Sequence, residues 1–449
     1  MPIILVKQLQ HILPILGHYF RTKYGRQFHS REQLLAWQDQ QVRKFFAEIL
    51  PKSPFYQRYY QGLEIRDWQQ FPLIDKARMM ENFDTLNTVE IKKSEAFALA
   101  LEAERSRNFK PTLGDFTVGL SSGTSGNRGL FIISQKEQQQ WAGAILAKGL
   151  PQFILHRQRI AFFLRANSKL YETVQSNRIQ FEYFDLFQSP ESHLPRLNQY
   201  NPTILVAPPS MLRLLAAAKN RGELEITPNK IIAVAEVLDP LDKAYIEQEF
   251  GKIIHQFYQC TEGFLGYTCS HGTLHLNEDI LVIQKEYLDP QSGKFIPIIT
   301  DFNRTSQPIM RYRLDDILTE RRTPCPCGSV FTALESIEGR QDDIFYLPSQ
   351  TGPQLVPVFP DFIRRAIILA SEDIVEYRVV QQSPNSLQIF LKVPPELQDS
   401  VRTQVTQGLL ELCERSHCQL PQIDYLDYKM HTEPHQKLRR VQRRFRLET

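Results

Sequence analysis

The chain has 449 residues, of which 42% are hydrophobic, 23% charged and 11% aromatic. Those proportions exclude a disordered, collagenous or coiled-coil chain, and at about 150 residues per domain the length allows two or three domains. The 53 basic and 50 acidic residues leave a net charge of +3, too balanced to imply nucleic acid or an anionic membrane as a partner.

No run of about 18 apolar residues occurs, so no transmembrane helix is expected. The apolar opening Pro2 to Val6 is interrupted by Lys7, Gln8 and Gln10. It lacks a basic start and a small-residue cleavage site, so it is not read as a secretory signal. Six cysteines in this length do not make a disulfide scaffold. Cys325 and Cys327, one residue apart, favour a metal or an intracellular thiol. A soluble, cytoplasmic protein is expected.

In chain order, residues 3–20 read as an amphipathic helix docked on the main body. Residues 31–60 place Leu34, Leu35, Trp37, Val42, Phe45, Phe46, Ile49 and Leu50 at spacings near three and four, a helical pattern stopped by Pro51 and Pro54. Residues 75–108 read as a second helical stretch with a solvated face. Asp115 to Leu120 and Leu130 to Ser134 read as strands around a Ser/Gly/Thr loop, followed by a helix carrying Trp141, Ile145 and Leu146 on one side. Apolar runs at 159–164, 203–207 and 230–235 alternate with helices at 209–220 and 240–250. That alternation predicts an α/β layer architecture with largely parallel sheets. The aromatic stretch Phe181, Tyr183, Phe184 and Phe187 reads as core rather than as the wall of a pocket. From about residue 340–345 the pattern changes. Val375, Tyr377, Val379 and Leu387, Ile389, Leu391 alternate around a turn. A helix carrying Leu397, Val401, Val405 and Leu409 follows, then a strand from Gln422 to Met430. These make a small α+β domain.

The strongest local motif is Ser121-Ser122-Gly123-Thr124-Ser125-Gly126-Asn127-Arg128-Gly129. Glycine at every third position lets backbone amides and hydroxyls approach a phosphate closely, although a flexible hairpin tip would have the same composition. The segment is not a Walker loop, because no Gly-Lys-Ser/Thr follows, nor a dinucleotide fingerprint, because its glycine spacing is GxxGxxG and a strand follows it. Tyr258-Gln259-Cys260-Thr261-Glu262-Gly263 closes an apolar run, and its carboxylate beside a hydroxyl suits Mg²⁺ and phosphate. Glu236 ends another such run. Pro308 to Asp316, with Arg311-Tyr312-Arg313, and Glu338-Gly339-Arg340-Gln341-Asp342-Asp343 complete the set.

Together and in this order these segments resemble the adenylate-forming superfamily of acyl-CoA synthetases and peptide-synthetase adenylation domains. Arg-Tyr-Arg before Asp316, Cys-Pro-Cys-Gly at 325–328, Ser53-Pro54-Phe55-Tyr56 and Phe71-Pro72-Leu73-Ile74-Asp75-Lys76 are similar to the phenylacetate–CoA ligases. They are equally similar to the synthetases that adenylate a deazaflavin coenzyme. The resemblance implies an α/β fold, with a large multi-layer N-terminal domain of acyl-CoA synthetase type and a small mobile α+β C-terminal domain. The expected bounds are 1–341 for ATP and acid binding and 342–449 for the lid. It implies that Ser121, Ser122, Gly123, Thr124, Ser125, Gly126 and Arg128 wrap the ATP phosphates, with Thr124 near the metal. Tyr258 would stack on adenine, Thr261 and Glu262 would contact the α-phosphate and Mg²⁺, and Glu236 would line the same site. Asp316 would hold the ribose, Arg340 would reach ribose or phosphate, and Asp342 would be the hinge. Lys437, in Gln436-Lys437-Leu438-Arg439-Arg440-Val441, would be the catalytic lysine, with Gln436 where the family has glycine. The basic end at 437–446 then reads as a catalytic loop, not as a nucleic-acid arm.

Three thiols and an imidazole, Cys269, His275, Cys325 and Cys327, form a set suited to structural Zn²⁺, as some relatives in this branch carry at matching positions. His271 is a substitute ligand, and Cys260, Cys413 and Cys418 read as structural. The expected cofactors are ATP, Mg²⁺, CoA and structural Zn²⁺. The expected activity is adenylation of a carboxylic acid with release of pyrophosphate, followed by transfer to CoA. The alternatives are transfer of AMP to a hydroxyl of a coenzyme-like acceptor, or an ATP-binding protein without catalysis. The expected partners are a small-molecule carboxylate and CoA, with no nucleic acid and no membrane span. A homodimer is compatible with this reading.

Overall fold

The computed structural model describes residues 12–108, 112–121, 128–164, 175–176, 178–428, 438–445 and 447. Strands β1 (Phe116–Leu120) and β2 (Leu130–Ser134) pair antiparallel and hold the two ends of the 121–129 loop side by side. The apolar runs that follow become β3 (Gln158–Leu164), β4 (Ile179–Asp185), β5 (Ile204–Ala207), β6 (Lys230–Ala233) and β7 (Ile254–Cys260). They lie in the order β4–β3–β5–β6–β7, all parallel. Helices Pro190–Tyr200, Pro209–Asn220 and Pro240–Phe250 connect them, each with proline in its first turn, where its missing N–H costs no hydrogen bond. These helices bury one face of the parallel sheet. The helix Gln135–Gly149 lies over the other.

Beyond β7 the same sheet turns antiparallel, a correction to the largely parallel expectation. β8 (Gly263–Thr268), β9 (Leu274–Leu276), β10 (Val282–Asp289), β11 (Lys294–Asp301), β12 (Ile309–Arg313), β13 (Asp316–Glu320) and β14 (Ala333–Arg340) continue it as β7–β8–β9–β14–β13–β11–β10, with β12 on β11. No helix separates these strands, and a parallel return needs a crossover of a dozen residues or more. β7 is therefore the seam, parallel to β6 and antiparallel to β8.

The 75–108 stretch also differs from expectation. It breaks into helices Lys76–Glu81, Phe83–Leu86 and Lys93–Ser106. Met79, Met80, Phe83 and Leu86 are buried in the core rather than on a solvated face. Residues 12–20 are helical and bring Ile15 and Tyr19 into the core. They approach the helix Gln135–Gly149 at Gly143, where an added Cβ would sit 2.8 Å from the Ile15 carbonyl oxygen. Only glycine permits that approach.

From residue 345 the chain forms its own core around Phe345, Ile363, Tyr377, Ile389 and Val405. The hairpin β15 (Phe345–Pro348) and β16 (Leu355–Val358) precedes a four-stranded sheet. This sheet runs β19 (Gln422–Asp427), β18 (Ser386–Lys392), β17 (Glu376–Ser383), β20 (Val441–Arg443), with helices Pro360–Ile368 and Gln398–Arg415. It docks on the large sheet's helices through buried polar contacts. Tyr377 Oη donates to Asp239 at 2.6 Å, and the Arg440 guanidinium holds both Asp242 oxygens at 2.6 and 2.7 Å. Among the described residues no helix is long and apolar enough to cross a membrane.

Candidate active site

In a parallel sheet the strand ends on one side converge, and ligands bind in the crevice beyond the carboxyl ends. Here a cavity of about 510 Å³ lies beyond β5, β6 and β7, under the β1–β2 hairpin, and meets Leu438 and Arg439 of the small unit.

At the end of β7 the chain reverses through Thr261 and Glu262. Thr261 Oγ1 donates to one Glu262 oxygen at 2.8 Å and Tyr312 Oη donates to the other at 3.1 Å. Burial first, and then the Glu262 charge, push the Tyr312 hydroxyl's pKa up, so it stays a donor. Tyr258 is buried on β7, and its hydroxyl donates to Asp316 Oδ2 at 2.6 Å. Asp316 opens β13 and Arg340 ends β14. Register places them directly opposite, with Arg340 Nε 3.8 Å from Asp316 Oδ1. Cross-strand register thus sets this acid–base pair.

Glu236 follows Ala235, whose φ of +68° lies in the left-handed region. A non-glycine residue held there is strained, and such strain clusters at functional sites. The Glu236 carboxylate accepts from Ser210 N at 3.1 Å and from Leu438 N at 3.3 Å, tying the small unit to the cavity rim. Ser121 closes the base of the phosphate-type loop. Its amide donates to the Gly129 carbonyl, and its Oγ accepts from Gly129 N, both at 2.7 Å. Arg128 donates to the Ser121 carbonyl at 3.2 Å and pairs with Glu104. Asp342 is exposed in the turn Gln341–Asp343. Asp343 is its buried neighbour and pairs with Arg439 of the small unit. Burial pushes the Asp343 carboxyl pKa up, against the pull of that guanidinium. Ser122, Gly123, Thr124, Ser125, Gly126 and Lys437 lie outside the described residues.

Two basic residues of this cavity were not singled out from sequence. Lys76 lines it, its pKa lowered first by burial, with Glu262, Arg340 and Asp315 as electrostatic neighbours. The distant 71–76 segment reaches the site because Ile74 bridges Tyr312. Ile74 N donates to the Arg311 carbonyl at 3.1 Å, and Arg313 N donates to the Ile74 carbonyl at 2.8 Å. Of the Arg311-Tyr312-Arg313 motif only Tyr312 lines the cavity. Arg311 is buried against the Phe71 carbonyl, and Arg313 pairs with Glu286. Arg304 also lines the cavity and donates to the Thr261 carbonyl at 3.1 Å. The segment after it is held by Glu137, which accepts from the amides of Thr305 and Ser306 while capping its own helix at Ser134.

The aromatic stretch 179–187 divides by strand alternation. Phe184 stacks on Phe163 at 4.7 Å in the core, whereas Phe181 lines the cavity, correcting the reading of the whole stretch as core.

Away from the cavity, the ligand atoms of Cys269, His275, Cys325 and Cys327 lie within 4.8 Å of one another. The Cys269 and Cys325 sulfurs are 3.8 Å apart, and Cys327 Sγ is 3.4 Å from His275 Nε2. Tetrahedral Zn²⁺ with bonds of about 2.3 Å to sulfur and 2.0 Å to nitrogen puts its ligands about 3.5–3.8 Å apart. His275 Nδ1 lies 3.2 Å from the Phe331 carbonyl. A carbonyl only accepts, so Nδ1 carries the proton and Nε2 is left as the ligand. The residues fit the metal. His271 is not in the cluster.

The architecture superposes on 2-hydroxyisobutyryl-CoA ligase in its postadenylation state with 2-HIB-AMP at a TM-score of 0.70. That match has 16% identity and covers 94% of this chain and 91% of that one. The fold is that of the adenylate-forming ligases. It is the fold that the motifs imply. The same ligase in its thioesterification state, with 2-HIB-AMP and CoA, superposes at 0.54 with 16% identity, over 94% of this chain and 92% of that one. GH3.15 acyl acid amido synthetase superposes at 0.56 with 12% identity, over 88% and 86%. In sequence the chain is 21% identical over 395 residues to Protein CapK of Staphylococcus aureus, covering 84% of this chain and 83% of that protein. No model of a known protein family matches the chain.

Proposed function

We propose that the chain is an ATP-dependent ligase that adenylates a carboxylic acid and passes the acyl group to CoA. A carboxylate oxygen attacks the α-phosphorus of ATP, the bond to the β-phosphate oxygen breaks, and pyrophosphate leaves. The CoA sulfur then attacks the acyl carbonyl and AMP leaves. The observation that carries this reading is the convergence on one cavity of the Tyr258–Asp316–Arg340 and Thr261–Glu262–Tyr312 groups, with Leu438 and Arg439 closing on it.

Asp316 accepts the ribose hydroxyls, and Tyr258 forms the adenine wall. Lys76, Arg128 and Arg340 stand where phosphoryl charge develops, which is the main source of catalysis in such transfers. Bound Mg²⁺ offsets the triphosphate charge, and Glu262 would hold it. Residues 342–449 act as the lid carrying Lys437, with Asp342 as hinge. The closer fit to the postadenylation state than to the thioesterification state of the CoA ligase supports reading the docked lid as held in the arrangement that completes the first half-reaction. Rotation would then prepare the second. Cys269, His275, Cys325 and Cys327 hold a structural Zn²⁺. None of the six cysteines is in a disulfide, in keeping with a cytoplasmic enzyme.

The test is ATP–pyrophosphate exchange with pools of aryl, fatty and amino-acid carboxylates. Exchange with one pool is expected, and Lys437→Ala should abolish it while sparing ATP binding. Unchanged exchange in that variant overturns the lysine's role. Tight Mg-ATP binding with no exchange for any acid overturns carboxylate adenylation in favour of a hydroxyl acceptor.

A further inference from the structure

The cavity has two chemically different ends. Around Glu262 and Asp316 it is charged. Where it runs between the parallel sheet and the helix Gln135–Gly149, none of the described residues lining it is charged. Trp141 and Ile145 face it from the helix, and Phe181, Phe162, Val206, Ile232 and Phe257 face it from β4, β3, β5, β6 and β7.

The two faces of these strands are packed differently. On the face under helices Pro190–Tyr200, Pro209–Asn220 and Pro240–Phe250, Ala161, Phe163, Leu205 and Ile231 have no exposed surface at all. On the cavity face, Phe162 and Phe257 keep 9% and Val206 keeps 7%, while Ile204 and Ile232, set among them, keep 2% each. Alternate residues of one strand share their backbone environment, so the difference reports open space on one side only, not loose packing of the sheet. The lining runs from Phe257 on β7, past Val206 on β5 and Phe162 on β3, to Phe181 on β4. That path crosses four strand intervals, about 19 Å, several times the width of one aromatic ring.

We propose that the acid substrate is a monocarboxylate with a long apolar tail. The tail lies across β7, β6, β5 and β3 under the helix Gln135–Gly149, and the carboxylate is presented at the Glu262 end. This rests on the adenylation reading. A slot of this length with no charge among the described residues favours an extended chain and disfavours a second ionised group, because no described side chain there repays its desolvation. A short or single-ring acid would leave most of the slot unfilled and forfeit its transfer free energy.

The experiment is ATP–pyrophosphate exchange with straight-chain acids from about two to about sixteen carbons, a benzoate-sized acid, and the ω-dicarboxylate matching the best chain. Expected is a kcat/KM rising about three- to fourfold per methylene over part of the series, then a plateau, with the dicarboxylate inactive. Val206→Phe narrows the slot midway and should move the plateau to shorter chains. Val206→Ala should leave the plateau at the wild-type length or beyond, and thermal melting checks that both variants fold. A best substrate of single-ring size, a series flat beyond about four carbons, or an active dicarboxylate overturns the long-tail assignment while leaving adenylation standing. Exchange with no acid of any kind overturns adenylation itself.

Discussion

The carboxylate of Glu262 already accepts two hydroxyls, from Thr261 and Tyr312, and so keeps its orientation without a bound cation. Preorganisation of that kind is what a phosphoryl-transfer site needs. His255, on β7, illustrates a second residue-level effect. Burial, with Lys230 nearby, pushes its pKa down to about 4. The unfolded chain takes up that proton near pH 6.5 and the folded chain does not. The unfolded state therefore binds more protons between pH 6.5 and 4, and stability present above 6.5 is lost as pH falls through that window. Asp301, pushed up to about 6 by burial, titrates in the opposite sense over part of the same range, so the comparison must be with a variant. In thermal melts between pH 7 and 4, His255→Gln should lose less melting temperature than the parent. Equal losses would show that His255 is not held neutral.

At the scale of elements, the turn carrying Cys325 and Cys327 joins β13 to β14 and meets β8 and β9 at Cys269 and His275. Gly328 closes it with φ of +71°, a conformation suited to glycine. The expected outcome is one equivalent of zinc in the purified protein by elemental analysis. Cys325→Ser should lose the metal and lower the melting temperature by several degrees. A metal-free parent of equal stability would reduce the cluster to buried thiols. Its four members were visible in the sequence because cysteine spacing is a local signal. That Lys76 would line the same cavity was not, since Ile74 reaches Tyr312 through a single bridge between segments 238 residues apart in the chain. The helix–strand alternation from 158 to 260 was legible because each element carries its own hydrophobic period. The antiparallel half was less so, because its strands mix buried charges such as Glu338 and Lys294 with apolar residues.

For the whole molecule, the small unit is latched where Asp239 and Asp242 begin the helix Pro240–Phe250. Asp239 caps that helix and accepts from Tyr377, while Asp242 pairs with Arg440 and Arg213. Burial pushes the Asp242 carboxyl up and its own charge neighbours push Arg440 up. A guanidinium does not release its proton here, so the pair stays ionised. Asp242→Asn leaves Arg440 buried without its main counter-charge, which should cost about 3–5 kcal/mol. Calorimetry should then show the small unit melting ahead of the large one. A single transition at the parent temperature would mean that the latch contributes nothing to docking.

The sequence by itself determined the chemistry available and the local elements. Residue types, glycine spacing and hydrophobic period are properties of neighbouring residues, so the 121–129 loop, the carboxylates Glu262 and Asp316, and the four metal-type ligands could be named before any fold. Only the tertiary structure decided which of them meet. Asp316 opposes Arg340 through strand register, and Arg311 and Arg313 serve the backbone while Tyr312 serves the site. Phe181 and Phe184, three residues apart, part company between cavity and core. The reason is physical: whether an apolar side chain packs or lines a space depends on what stands opposite it, and the opposing element lies tens or hundreds of residues away in the chain.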